Sequence, residues 1–193
     1  MTKKFVINDE ELKDEHIEDY EFSGYYDYFE ISNCIISKCD FSKSNLQGID
    51  ISDSEILNCN FSNVDLSERS YKNVVFKECS FVGVDFNSSY LENVEFFNCN
   101  FSYGNFSGCN LKNVKFFSCV LDFAGFNEVK WKNFIVDNCS MKETEFLSTK
   151  LKDFDISSCK VSDLKVYTDA LRGLLVNYDQ AIDLALHLGI KIK

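Results

Sequence analysis

Nine cysteines and two histidines carry the widest chemistry in this 193-residue chain. Thiolates ligate zinc, exchange disulfides or act as nucleophiles, and imidazole shuttles protons or binds metal. Each use demands a spacing. Zinc and redox sites favour CxxC, yet Cys34, Cys39, Cys59, Cys79, Cys99, Cys109, Cys119, Cys139 and Cys159 are separated only by multiples of five. His16 and His187 lie near opposite ends of the chain. No glycine-rich phosphate loop, nucleophile elbow or isolated acid pair stands out. The cysteines are therefore expected to be small, inert, inward hydrophobes. A binding protein without catalysis, cofactor or metal is the expectation.

Five is the period of most of the chain. Every fifth residue from Ile31 to Val166 is apolar or aromatic, 28 positions without exception. At 45% hydrophobic composition such a run arises by chance with a probability on the order of 10⁻¹⁰ for one register. A helical period does not fit it, and neither does plain alternation. All nine cysteines stand two residues before a centre, in a slot otherwise filled mostly by small or β-branched residues such as Val64, Ser89 and Ala124. An apolar centre, a small residue two before it and a polar residue between them is strand alternation over three residues. The remaining two residues of each five are mostly polar, as a corner requires. A three-residue strand plus a two-residue corner winds into a coil. Cysteines at 39, 59, 79, 99, 119, 139 and 159 recur every 20 residues, so each coil has four sides and these thiols share one column. The phrases LENVEFFNCNF at 91 and LKNVKFFSCVL at 111 are successive coils of that kind.

The units CDFSK at 39–43, SNLQG at 44–48, CNFSN at 59–63, VDLSE at 64–68, CSFVG at 79–83, CNFSY at 99–103 and GNFSG at 104–108 resemble the pentapeptide-repeat family. Its motif is a small residue, Asn or Asp, Leu or Phe, Ser or Thr, and a polar residue or Gly. The resemblance covers about residues 29–168 and implies an all-β fold, a right-handed quadrilateral β-helix of about seven coils. Arg69, Phe134 and Phe154 occupy small-residue slots. A locally widened wall is expected at Arg69, and fatter coils at the two phenylalanines.

Residues 1–28 fall outside the register. DEELKDEHIEDYEF is expected to form a short helix or an irregular acidic cap that covers the first coil. Residues 169–193 are the other cap. Asn177 and Gln180 are spaced as a capping box, and Gly189 suits the position past a helix end, so a helix of about three turns lies between them. Its apolar residues cover more than one stripe, which leaves one surface to close the coil and a second for a partner. Leu171, Arg172, Gly173, Val176, Gln180, Ala181, Leu188, Gly189 and Ile190 resemble the C-terminus of the Qnr-like branch of the same family, whose members protect DNA gyrase and topoisomerase IV from quinolones. That resemblance implies a homodimer through the C-terminal segment, with Ile182, Leu184, Leu186, Leu188, Ile190 and Ile192 at the interface.

Net charge is −11, and residues 1–30 hold ten acids against three lysines. This disfavours nucleic acid as a direct partner. No run approaches the ~20 apolar residues of a membrane span, and cysteines without a leader segment suggest a cytoplasmic protein. Among outward positions, Asp65, Asp85 and Glu145 share one wall, with Glu68 and Glu128 on its corner. Lys72, Lys112, Lys132 and Lys152 share another column. Phe97 and Phe117 share a corner, Tyr103 and Phe123 share the next, and Val120 lies between. Two functions suit these surfaces. The Qnr-like resemblance implies an acidic rod that mimics DNA in the saddle of a type II topoisomerase, meeting its bases through the acids named. A general interaction scaffold would instead bind another protein through the aromatic group. The unbroken register over 31–166 is closer to loop-free members of the Qnr-like group.

Overall fold

A computed structural model of the chain describes residues 11–192 apart from 27 and 47, and leaves the side chain of residue 187 undescribed. The chain winds into a quadrilateral β-helix of about eight turns, mostly strand, with one C-terminal helix. The first coil carries β1 (Glu11–Lys13), β2 (His16–Glu18) and β3 (Glu21–Tyr25), and the second β4 (Glu30–Ser32), β5 (Ile35–Ser37) and β6 (Asp40–Asn45). Next come β7 (Asp50–Ser52) and β8 (Glu55–Leu57). Four eight-residue strands then run around one corner: β9 (Ser70–Lys77), β10 (Tyr90–Phe97), β11 (Asn110–Phe117) and β12 (Lys130–Asp137). β13 (Ser140–Lys142) and β14 (Lys160–Ser162) precede α1 (Tyr178–His187). All named strand pairs are parallel, and in the body each residue pairs with the one 20 further on, as Leu91 does with Leu111 and Phe96 with Phe116. At about 4.8 Å per coil, eight coils make a rod about 38 Å long.

The centres fill the interior, where columns of stacked phenylalanines run beside buried Ile, Leu, Val and Cys. Phe22, Phe41, Phe61, Phe81 and Phe101 stack with centroid separations of 4.1, 4.4, 5.0 and 4.6 Å. Phe86, Phe106, Phe126 and Phe146 form a second column at 5.2, 4.7 and 5.2 Å. Neighbouring columns meet edge to face, as Phe96 and Phe101 do at 4.9 Å and 85°. Both geometries are favoured by the ring quadrupole.

Most corners turn through a left-handed residue. Of 25 non-glycine residues with positive φ among the described residues, 14 are Asn or Asp, the residues that enter this region at least cost. On one corner they also bond along the rod. Asn73, Asn93, Asn113 and Asn133 each donate a side-chain amide to the residue one coil earlier at 2.8 Å, beginning at Asp53. Within the units, the motif's Asn or Asp closes a second local turn. Asp65, Asp85 and Asn105 accept the backbone N–H two residues on at 3.0, 2.8 and 3.0 Å.

The helix or irregular cap expected over 1–28 is corrected for residues 11–25, which are strands of a further coil; residues 1–10 lie outside the described residues. Leu12, Ile17 and Phe22 are buried centres five apart. Leu12 pairs with Ile31, only 19 residues on, while Ser23 pairs with Lys43, 20 on, across an irregularity between Glu21 and Ser23. One missing residue at that corner shifts the frame of the whole first coil.

At the other end the expected capping box is present. The Asn177 side chain accepts from the Gln180 N–H at 3.0 Å, and Gln180 Oε1 accepts from the Asn177 N–H at 2.9 Å. Gln180 Nε2 also donates to the carbonyls of Ile156 and Cys159 at 2.9 and 2.8 Å, tying α1 to the last coil.

Candidate partner-binding surface

The thiols occupy the slot expected of them, and all nine are buried and unpaired. Cys99, Cys109 and Cys119 donate to the carbonyls 23 residues earlier, those of Phe76, Phe86 and Phe96, at 3.7, 3.0 and 3.5 Å. Ser89, Thr144 and Thr149 use the same slot and the same 23-residue offset, at 2.9, 2.9 and 2.6 Å. The slot thus takes small side chains, whether apolar like Val64 and Ala124 or able to donate to that carbonyl like Cys, Ser and Thr. Burial pushes the Cys109 thiol up to about 12, which keeps it protonated and poorly nucleophilic. His16 stands exposed on β2. Among the described residues no group of three or more His, Cys, Asp or Glu could hold a metal ion.

The predicted acidic wall is sparse. Asp65 and Asp85 are bridge partners on adjacent coils, but Asn105 and Gly125 separate Asp85 from Glu145 in the same column. All three acids are half-buried. Asp85 also accepts the Asn105 amide at 2.9 Å, and Glu145 pairs with Lys165 at 3.1 Å. Glu68 and Glu128 are exposed left-handed corners, three coils apart. The densest acidity lies elsewhere. Glu11, Asp14, Glu15, Glu18, Asp19 and Glu21 are all exposed around the first coil, a girdle that the frame shift hid from periodicity arguments.

The aromatic corners are real neighbours. Phe97 and Phe117 stack at 5.0 Å, and Tyr103 and Phe123 at 4.8 Å. Tyr103 is 63% exposed, whereas Phe97, Phe117 and Phe123 are half-buried. Lys142 Nζ lies 5.5 Å from the Phe123 ring centre. Of the proposed dimer residues, Ile182 and Leu184 are half-buried and Leu186, Leu188, Ile190 and Ile192 are exposed. A groove lined by Ile156, Val161, Leu164, Asp183, Leu184 and Leu186 separates α1 from the last coil.

Two departures from the motif have visible consequences. Arg69 is half-buried, with its guanidinium 5.7 Å from the Tyr28 ring centre and its buried Nε without a hydrogen-bond partner among the described residues. Phe134 and Phe154 stack at 5.0 Å inside the coil. They crowd the neighbouring centre, Trp131, which is left half-buried with Nε1 donating to the Lys150 carbonyl at 2.8 Å. Among the described residues β12 has no strand partner on its far side, and a groove opens beside Trp131 between Lys130, Ser148 and Lys150. Sequence reasoning missed this groove, although the two phenylalanines in small slots were its signal.

The chain matches the model of the pentapeptide repeat region over residues 49–124 and 69–146, together more than half of its 193 residues. None of the curated proteins matches it. Among solved structures it is similar to full-length QnrB1, a plasmid-mediated fluoroquinolone resistance protein, at 18% identity over 93% of this chain and 100% of that one, with a TM-score of 0.37. HetL of the cyanobacterium Nostoc, a pentapeptide repeat protein involved in regulating heterocyst differentiation, is similar at 12% identity over 84% and 87% of the two chains, with a TM-score of 0.35. No helix among the described residues is long and apolar enough to cross a membrane. With its repeat spelled out over more than half of its length and folded into four-sided coils, this chain belongs to the pentapeptide repeat family.

Proposed function

We propose that this chain is a non-enzymatic, cytoplasmic binding protein that engages a type II topoisomerase, DNA gyrase or topoisomerase IV, in place of DNA. The observation that carries the reading is a narrow rod with a net charge of −11, on which Asp65, Asp85 and Glu145 share one wall. Such a rod suits a basic saddle shaped for a duplex, because opposed potentials steer encounter and fix orientation. The Qnr-like C-terminal residues Leu171, Arg172, Gly173, Gln180 and Gly189 support the choice of partner. A homodimer through Leu186, Leu188, Ile190 and Ile192 belongs to the same reading, since these exposed apolar residues lie together at one end of the rod.

The test is gyrase supercoiling as the protein is titrated, with and without ciprofloxacin. Protection from the drug, or inhibition of supercoiling, supports topoisomerase binding. A flat titration in both arms overturns it. The second reading, a scaffold for another protein, is favoured by Tyr103, an exposed ring held at φ 63° and stacked on Phe123.

A further inference from the structure

One wall of the rod, centred on Ile31, Ile51, Tyr71, Leu91, Leu111, Trp131 and Leu151, carries opposite charge at its two ends. Over the first three coils its outward positions hold Glu11, Asp14, Glu30, Asp50 and Asp53 against Lys13, a balance of −4. Over the last coils they hold Lys130, Lys132, Lys150, Lys152 and Arg172 against Asp153, a balance of +4. The coils between are nearly neutral, and there Glu92 is paired with Lys112. Among the described residues no ion pair engages any of the charges at either end. Glu30, Asp50, Lys130, Lys132, Lys150 and Lys152 are all exposed.

We propose that this wall is the interface of an antiparallel, face-to-face pair of two copies of the chain. A two-fold axis in the plane of the interface and perpendicular to the rod reverses the direction of the coils but keeps each side-chain column opposite itself. With that axis at Tyr90, the coil of Glu30 faces the coil of Lys150, and Asp50 faces Lys130, because each pair is equidistant from residue 90. The same symmetry brings Tyr28, 75% exposed on the adjoining corner, opposite Ser148 beside the Trp131 groove. At the axis Glu92 accepts from the Tyr90 hydroxyl at 2.8 Å and pairs with Lys112, so its charge is already satisfied within each chain. A polyanion such as nucleic acid fits worse, since it would meet the −4 end of the same wall. A second copy suits it, because the acidic end of each chain then lies over the basic end of the other. Exposed pairs of this kind are screened by salt, so the association is a salt-sensitive one.

The experiment uses sedimentation velocity on the full chain and two charge-reversed variants. One carries Glu11→Lys, Glu30→Lys and Asp50→Lys, making both ends basic. The other carries Lys130→Glu, Lys132→Glu and Lys150→Glu, making both ends acidic. The wild type is expected to show an association step at least about tenfold weaker at about 0.5 M than at about 0.03 M salt. Each variant alone should lose about tenfold or more in self-association at low salt, and an equimolar mixture should restore a hetero-pair. Circular dichroism checks that both variants fold. A wild type with no salt-sensitive step, or variants that self-associate as tightly as the wild type, would overturn the proposal. A dimer made only by the C-terminal helix gives that second result, so failure here is distinguishable from failure of the topoisomerase reading.

Discussion

Tyr103 and Phe123 stack 4.8 Å apart at 6°, although both occupy left-handed corners, at φ 63° and 61°. Gly83 fills the same column one coil earlier. An aromatic residue there is strained by about 1–2 kcal/mol, and the stack returns about 0.5–1.5 kcal/mol. Tyr103→Gly should therefore change stability by less than about 1 kcal/mol. Phe101→Ala, which removes a fully buried ring stacked at 4.6 Å, should cost about 3–5 kcal/mol. Urea denaturation of the two variants makes the comparison. A large loss for Tyr103→Gly would show that the corner stack is structural, not a surface kept for a partner.

The asparagine ladder allows hydrogen bonding and backbone strain to be separated at one residue. Asn93 donates to Asn73 and accepts from Asn113, both at 2.8 Å, from φ 55°. Asn93→Gly loses the two exposed hydrogen bonds and should cost about 1–2 kcal/mol. Asn93→Ala loses the same bonds but, unlike glycine, keeps a Cβ in the left-handed region, and should cost about 1 kcal/mol more. Equal midpoints for the two variants in chemical denaturation would show that the corner imposes no backbone constraint.

The shared slot of cysteines, serines and threonines sets the outcome of Cys99→Ser. A hydroxyl in an apolar wall normally costs about 1–3 kcal/mol. Here, however, Ser89 and Thr149 already satisfy the corresponding carbonyl at 2.9 and 2.6 Å. Cys99→Ser should cost less than about 1 kcal/mol, whereas Cys99→Leu overfills the slot and should cost about 1–3 kcal/mol. Thermal melts compare the two. In the native state all nine thiols should resist alkylation, and rapid labelling of Cys99 would contradict its burial.

The body of this fold was legible because its period is neither that of a helix nor that of a plain strand, so 28 apolar centres in register admitted one explanation. The first coil was not. Leu12, Ile17 and Phe22 keep the spacing of five, but one residue fewer at the next corner puts them in a different frame, and a fixed-frame reading discards them. Trp131 shows a second kind of limit. Its column predicts burial, but Phe134 and Phe154 lie inside the same coils and Trp131 is left half-buried at the sheet's last strand. Alternation placed the acids correctly on outward positions. It could not show that Asp85 spends its carboxylate on the Asn87 N–H and the Asn105 amide.

Turn-closing carboxylates give the rod a defined response to acid. Hydrogen bonds from the Ser42 side chain and backbone hold the Asp40 carboxyl below its usual range, and Ser157 does the same for Asp155. A carboxyl lowered by folding stabilises fully above its unfolded value of about 3.9 and loses that contribution as pH falls through the lower folded value. The urea midpoint should therefore decline as pH drops below about 4. Asp40→Asn with Asp155→Asn should decline less steeply, since Asn60 and Asn105 accept the same N–H without a charge. A steeper decline in the double variant would count against this origin.

The last prediction separates the two binding modes. Residues 31–169 carry 19 acids and 14 bases, a balance of −5. Asp65→Asn, Asp85→Asn, Glu128→Gln and Glu145→Gln together reduce that balance to −1. The turns survive these changes, because Asn105 already makes the bond that an asparagine at 85 would make. If the rod engages gyrase as a DNA mimic, the fourfold variant should bind purified gyrase about tenfold or more weakly at low salt. The gap should narrow as salt rises, since the lost term is electrostatic. Phe97→Ser with Phe117→Ser removes a stack of half-buried rings at 5.0 Å. It should lower stability by about 1 kcal/mol or more while weakening gyrase binding less than the acid variant does. The reverse ranking moves the contact to the aromatic corner, and a wild type with no gyrase affinity even at low salt leaves the scaffold reading in its place.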